Sequence, residues 1–215
     1  MIPDWGTERR QMVEVQLRRR GIRDRRVLAA MSEIPREEFV PPESRVMAYA
    51  DSPLPVGYGQ TISQPYMTAL MAELLQLDGT ETVLEVGTGC GYAAAVLSCL
   101  AARVVSVELI PALAQQAREN LRRTGCTSNI TVVEGDGSAG YPELAPYRAI
   151  SVAAAPREIP TALLEQLDDR GRLVIPVGEG DDQELRCVVQ QGVRIESRVV
   201  TLCRFVPLCS AGGWS

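Results

Sequence analysis

The chain has 215 residues, 46% of them hydrophobic and 23% charged, enough apolar material for a substantial core. Its formal net charge of −5 argues against nucleic acid or an anionic membrane as a main partner. All 22 basic residues are arginine and histidine is absent, so no metal site and no catalytic triad built on histidine is expected.

The six cysteines (Cys90, Cys99, Cys126, Cys187, Cys203 and Cys209) contain no Cys-x-x-Cys pair and read as reduced thiols of a cytoplasmic protein. No early segment resembles a signal peptide, and no apolar run approaches the ~18 residues that a membrane span needs.

In chain order, residues 7–20 predict a helix capped by Thr7 and closed by Gly21, with Met12, Val15 and Leu17 turned inward. Asp24 caps a second, short helix that buries Val27, Leu28 and Met31 and stops before Pro35. Five prolines between positions 34 and 55 make an irregular arm, readable as decoration of a sheet domain or as a wall of a substrate cleft.

Gly57 and Gly59 precede a strongly periodic helix carrying Met67, Leu70, Met71, Leu74, Leu75 and Leu77. Ser63 or Gln64 stands where its N-cap belongs, with Pro65 near the first helical position. Ser63 therefore has two readings: a helix cap, or a group that holds a carboxylate together with the N–H groups of that helix start.

From Thr80 the pattern alternates. Strands are predicted over 82–86, 104–108, 130–134, 149–153 and 171–178, and helices over 92–100, 111–123 and 160–167. The later runs 184–190 and 197–208 read as an antiparallel pair. The expected fold is α/β: a doubly wound, mostly parallel Rossmann-like sheet with an N-terminal helical extension and a C-terminal antiparallel hairpin. A single domain over 1–215 is expected, divided into an arm (1–60), a cofactor-binding core (61–178) and a C-terminal β region (179–215).

The first of these strands ends in Glu85 and breaks into Gly87-x-Gly89-x-Gly91, followed at once by an alanine-rich helix. Such a turn lets backbone approach a nucleotide closely. Tyr92 occupies the position where a dinucleotide fingerprint wants its third glycine, and a carboxylate at Glu85 would repel phosphates. Both features favour S-adenosylmethionine, which carries a sulfonium and no phosphate. Glu108, about twenty residues past the glycines, suits ribose hydroxyls, and Asp136 suits an adenine amino group. All three acids fall at the carboxyl ends of neighbouring parallel strands, where such folds bind ligands.

Over nearly its whole length the chain resembles the protein-L-isoaspartate O-methyltransferases. The matching stretches include Pro53-Leu54-Pro55-Val56-Gly57, Gly59-Gln60-Thr61-Ile62-Ser63-Gln64-Pro65, Leu84-Glu85-Val86-Gly87-Thr88-Gly89-Cys90-Gly91-Tyr92, Gly135-Asp136-Gly137 and Arg204-Phe205-Val206-Pro207-Leu208. The resemblance implies methyl transfer from S-adenosylmethionine to the free carboxylate of isoaspartyl residues in damaged proteins and peptides. The ester then collapses to a succinimide that can reopen as aspartate. It implies Ser63 as the active-site residue. Cofactor contacts would come from Gln60, Thr61, Ile62 and Ser63, from Glu85, Gly87, Thr88, Gly89, Gly91 and Tyr92, and from Glu108, Leu109, Asp136 and Gly137. The substrate backbone would lie along 53–59 and 206–208. A cytoplasmic monomer is expected.

Departures from the family pattern are Tyr58 where many bacterial relatives carry His, Cys90 where Ser is commoner, Arg148 in place of Asp, and the stretch Ser151-Val152-Ala153. The alternatives are a relative dedicated to one peptide, a nicotinamide-dependent oxidoreductase and a non-catalytic binding protein.

Overall fold

The structure, a computed structural model, describes residues 3–210 and 213–214. Helix α1 (Trp5–Gln11) runs directly into a π-helical stretch (Met12–Arg18), and α2 (Arg25–Glu33) follows. Asp4, not Thr7, caps α1, accepting from Gly6 N and Thr7 N through its carboxylate. The wider π winding carries Met12, Val13 and Leu17 into the core and leaves Val15 exposed, where a 3.6-residue period had placed Val15 inward. Asp24 caps α2 as its spacing predicts, accepting from Arg26 N and Val27 N.

Strands β1 (Leu54–Gly57) and β2 (Gln60–Ile62) form an antiparallel hairpin that periodicity did not reveal. Its turn holds Tyr58 at φ 53° and Gly59 at φ 71°, both left-handed, which suits the twist of a tight hairpin. Helix α3 (Pro65–Leu75) has Pro65 at its first position and Gln64 at the N-cap, with no side-chain capping bond. The capping reading of Ser63 is thereby overturned.

The remaining elements are β3 (Thr82–Val86), α4 (Tyr92–Ser98), β4 (Arg103–Glu108), α5 (Pro111–Arg123), β5 (Ile130–Glu134), β6 (Tyr147–Val152), α6 (Thr161–Glu165), β7 (Leu167–Glu179), β8 (Asp182–Gln191) and β9 (Arg194–Cys203). They build a seven-stranded sheet in the order β5-β4-β3-β6-β7-β8-β9, parallel from β5 to β7 and antiparallel from β7 to β9. The helix expected over 160–167 is cut short because Leu167 already pairs with Tyr147 as the first residue of β7. The run expected to reach residue 208 leaves the sheet after Cys203. It then crosses to the end of β6, where Ala155 N donates to Val206 O (2.8 Å) and Leu208 N to Ala155 O (2.9 Å).

Alternate strand residues face two separate cores. Val83, Val104, Ala149 and Val174 pack under α2 to α5, whereas Leu84, Val105, Ile150 and Leu173 face α6 with Leu163. Burial on both faces explains the near-continuous apolar runs of the central strands. The chain runs outward through β3, β4 and β5, then returns to place β6 on the other side of β3. That reversal opens a crevice at the carboxyl ends of β3 and its neighbours. Among the described residues no helix is long and apolar enough to cross a membrane.

Candidate functional site

A cleft lies in that crevice, lined from β2, from the turn after β3 and from the end of β4. Its floor is the turn between β3 and α4, in which Gly87, Gly89 and Gly91 all take positive φ (90°, 54° and 91°). Gly91 has a packing reason as well, since a Cβ there would stand 3.3 Å from Ala117 Cβ and Leu121 Cγ of α5. The turn is pinned from β4: Gly87 N donates to Val107 O (2.9 Å), and Gly89 N donates to Glu108 Oε2 (2.8 Å). Glu108 Oε1 accepts from Ile110 N (3.0 Å), so one carboxylate fixes both the glycine turn and the approach to α5. Each oxygen keeps a second lone pair for a ligand hydroxyl.

All but three of the residues singled out in the sequence line this cleft: Gln60, Thr61, Ile62 and Ser63 from the hairpin, Gly87, Thr88, Gly89 and Tyr92 from the turn, and Glu108, Leu109 and Gly137. The exceptions are Glu85, Gly91 and Asp136. Gly91 is placed behind the turn by its packing on α5. Asp136 caps the turn Gly137–Ala139, its Oδ1 accepting from Ser138 N (2.9 Å) and Ser138 Oγ (2.6 Å). Its neighbour Gly137 lines the cleft.

Glu85 departs furthest from expectation. Its side chain is fully buried, with Ser106 Oγ against Oε2, while Oε1 has no hydrogen-bond partner. Ser106 Oγ in turn shares a hydrogen bond of 2.6 Å with Thr88 Oγ1 in the cleft wall. Burial pushes the carboxyl up to about 8; the Ser106 bond opposes this and the charge of Glu108 adds to it. Burial therefore biases Glu85 toward its protonated form, away from the carboxylate that its position in the strand suggested. It lines a small adjoining cavity with Ser63, Thr68 and Ser151.

A second cleft, about 1200 Å3 with its open mouth, lies beside the first and is walled by Pro53, Gln64, Met67 and the segment from Leu202 to Val206. The two clefts share Thr61, Ser63, Ala153 and Val206, so Ser63 stands where they meet. Val206 and Pro53, expected to flank the substrate, both face the second cleft, whereas Pro207 and Leu208 face the first.

Three supports had no visible signal in the sequence. Arg36, with no exposed surface, donates through Nε to Ala48 O and through Nη2 to Ser63 O, both at 2.7 Å. Its guanidinium also lies 4.9 Å from the ring centroid of Tyr92, which tests edge-on against Phe39. Gln183, buried, brackets Phe205 by accepting from its N (2.6 Å) and donating to its O (3.1 Å). Ser106 relays Glu85 to Thr88, as described.

Among the described residues the first cleft is lined by one acid, Glu108, and by no arginine. A dinucleotide's pyrophosphate would meet no cation there, whereas a phosphate-free, positively charged nucleoside fits. The family model for protein-L-isoaspartate(D-aspartate) O-methyltransferase matches residues 7–213. This chain belongs to the protein-L-isoaspartate O-methyltransferase family. It is similar to the protein-L-isoaspartate O-methyltransferases of Methanoculleus marisnigri, at 54% identity over 96% of this chain and 94% of that one, and of Herpetosiphon aurantiacus, at 51% over 98% and 93%. A solved protein-L-isoaspartate O-methyltransferase superposes with a TM-score of 0.81 at 32% identity, covering 93% of this chain and 65% of the other. A Plasmodium falciparum relative, solved in complex with S-adenosyl-L-homocysteine, gives 0.80 at 25% identity over 93% and 97%. The methyltransferase uses S-adenosylmethionine and acts on isoaspartyl residues of proteins, as a repair enzyme.

Proposed function

We propose that this methyltransferase is a general repair enzyme that holds its cofactor in the first cleft, admits isoaspartyl peptides through the second, and joins them at Ser63. The observation that carries the reading is the shared wall of Thr61, Ser63, Ala153 and Val206. When bound, S-adenosylmethionine supplies an electrophilic methyl group on a sulfonium. The glycine turn and Glu108 would hold its nucleoside, with Gln60 and Thr61 at its amino-acid end.

The acceptor needs no activation. A carboxyl of pKa about 4 is ionised at neutral pH, which suits a chain without histidine. The chain's work is to bring a carboxylate oxygen within roughly 3 Å of the methyl carbon, in line with the bond that breaks, and to keep water out. Ser63 serves this by hydrogen bonding to the acceptor carboxylate without becoming modified itself. Its backbone is already held by Arg36 from behind. An open second cleft walled mainly by apolar groups favours many acceptor sequences over one dedicated peptide. Six free thiols, two of them buried, favour a reducing, cytoplasmic setting.

Methyl transfer from labelled S-adenosylmethionine to paired peptides that differ only in Asp versus isoAsp tests the reading, and equal rates on both would reject it. Ser63→Ala is expected to lower turnover about ten- to a hundredfold, the worth of one hydrogen bond to a charged group, with cofactor affinity nearly unchanged. Asp136→Ala should do the reverse, because it releases the turn that carries Gly137. Equal cofactor loss in both variants would show that Ser63 belongs to the cofactor site instead.

A further inference from the structure

Among the described residues lining the second cleft, Arg204 is the single charged one. Its backbone is fixed, because the buried Gln183 brackets the next residue, Phe205, on both its N and O. Its side chain is 79% exposed. An ion pair with Asp181 at 2.9 Å is equally exposed, and a pair of that kind is worth at most about 1 kcal/mol. An incoming carboxylate can therefore replace Asp181 at little cost. Asp181 itself does not line the cleft, so of this pair only Arg204 is presented to a peptide there.

We propose that Arg204 is a specificity-determining residue that selects isoaspartyl peptides bearing an acidic side chain next to the damaged residue. The inference rests on the second cleft being the acceptor entrance. Arg204 does not line the first cleft. Its effect therefore belongs to encounter and binding of the peptide, and it adds nothing to the methyl transfer step.

The test uses three isoaspartyl peptides of one sequence, with Glu, Gln or Lys at the positions flanking the isoaspartyl residue. The wild-type enzyme should show kcat/KM about three- to tenfold higher for the Glu than for the Lys peptide at low ionic strength, carried by KM, and the preference should fade in high salt. Arg204→Ala should level the series and Arg204→Glu should invert it, with the Gln peptide methylated at similar kcat by all three enzymes. A flat series in the wild type, or a Glu preference that survives in Arg204→Ala, overturns the inference while leaving the repair function standing. Failure of the wild type to methylate any of the three would overturn the repair reading, and this inference with it.

Discussion

Replacing Arg36 by alanine should lower the melting temperature by roughly 10 °C and reduce methyl transfer by about a hundredfold or more. The side chain is the largest of the fully buried ones, so truncation leaves a cavity between the arm, α3 and α4. It also leaves Ala48 O and Ser63 O without their donor, each costing about 1–3 kcal/mol if no substitute forms. One term opposes this. Burial pulls the guanidinium pKa down, with Tyr92, Cys90 and Tyr49 opposing it, and no carboxylate pairs with it among the described residues. Removing the charge therefore recovers part of its desolvation cost, but a truncated site cannot collapse enough to match.

Arg36→Lys separates the two roles. Lysine keeps a cation but offers a point charge in place of a planar fork, so it cannot serve both carbonyls in their present positions. Its melting temperature should fall between wild type and Arg36→Ala, while turnover on an isoaspartyl peptide stays low and S-adenosylhomocysteine affinity changes little. Thermal unfolding, peptide kinetics and calorimetry on the two variants check this. A wild-type melting temperature in Arg36→Ala would show that the tether to Ser63 is not structural.

The contrast between Arg36 and the glycine turn shows what the sequence made legible. Gly87, Gly89 and Gly91 sit between an apolar strand and an alanine-rich helix, all local relations, and they lie where the spacing put them. Arg36 meets Ser63 across 27 positions of chain, and an arginine is ordinarily exposed, so nothing nearby marks it as buried. The hairpin of β1 and β2 is hidden for another reason. Its strands have four and three residues, too few for alternation to register, and its turn places a tyrosine at a left-handed position. The same shortness blurred Ser63: Gln64 and Pro65 look like a cap and first turn, as they are, but only the tertiary structure shows that the serine side chain is left to face the clefts.

Glu85 lies in β3, as its place in the sequence suggests, but burial pushes its carboxyl up. Glu85→Gln is expected to raise the melting temperature of the cofactor-free protein by roughly 10 °C at pH 8 and by little at pH 5. The sign follows from burial. The ordinary value is 4.5 and the folded value about 8, so between these limits the native state binds a proton that the unfolded chain has released. Stability from this group is complete below pH 4.5 and declines as pH rises toward 8, by on the order of 5 kcal/mol at about 1.4 kcal/mol per pH unit. Glutamine is neutral throughout and keeps an oxygen for Ser106, so it escapes that decline. From the other elements around the carboxyl, Glu108 on β4 adds a like charge, and the Cys90 thiol, itself pushed up to about 11, stays neutral. Neither cancels the effect. Melting curves of both proteins from pH 5 to pH 9 check it, and a constant difference across that range would mean that Glu85 is ionised when folded. A cation bound in the neighbouring cleft would favour the ionised form, so binding should recover part of the stability lost at pH 8, and Glu85→Gln should lose that gain.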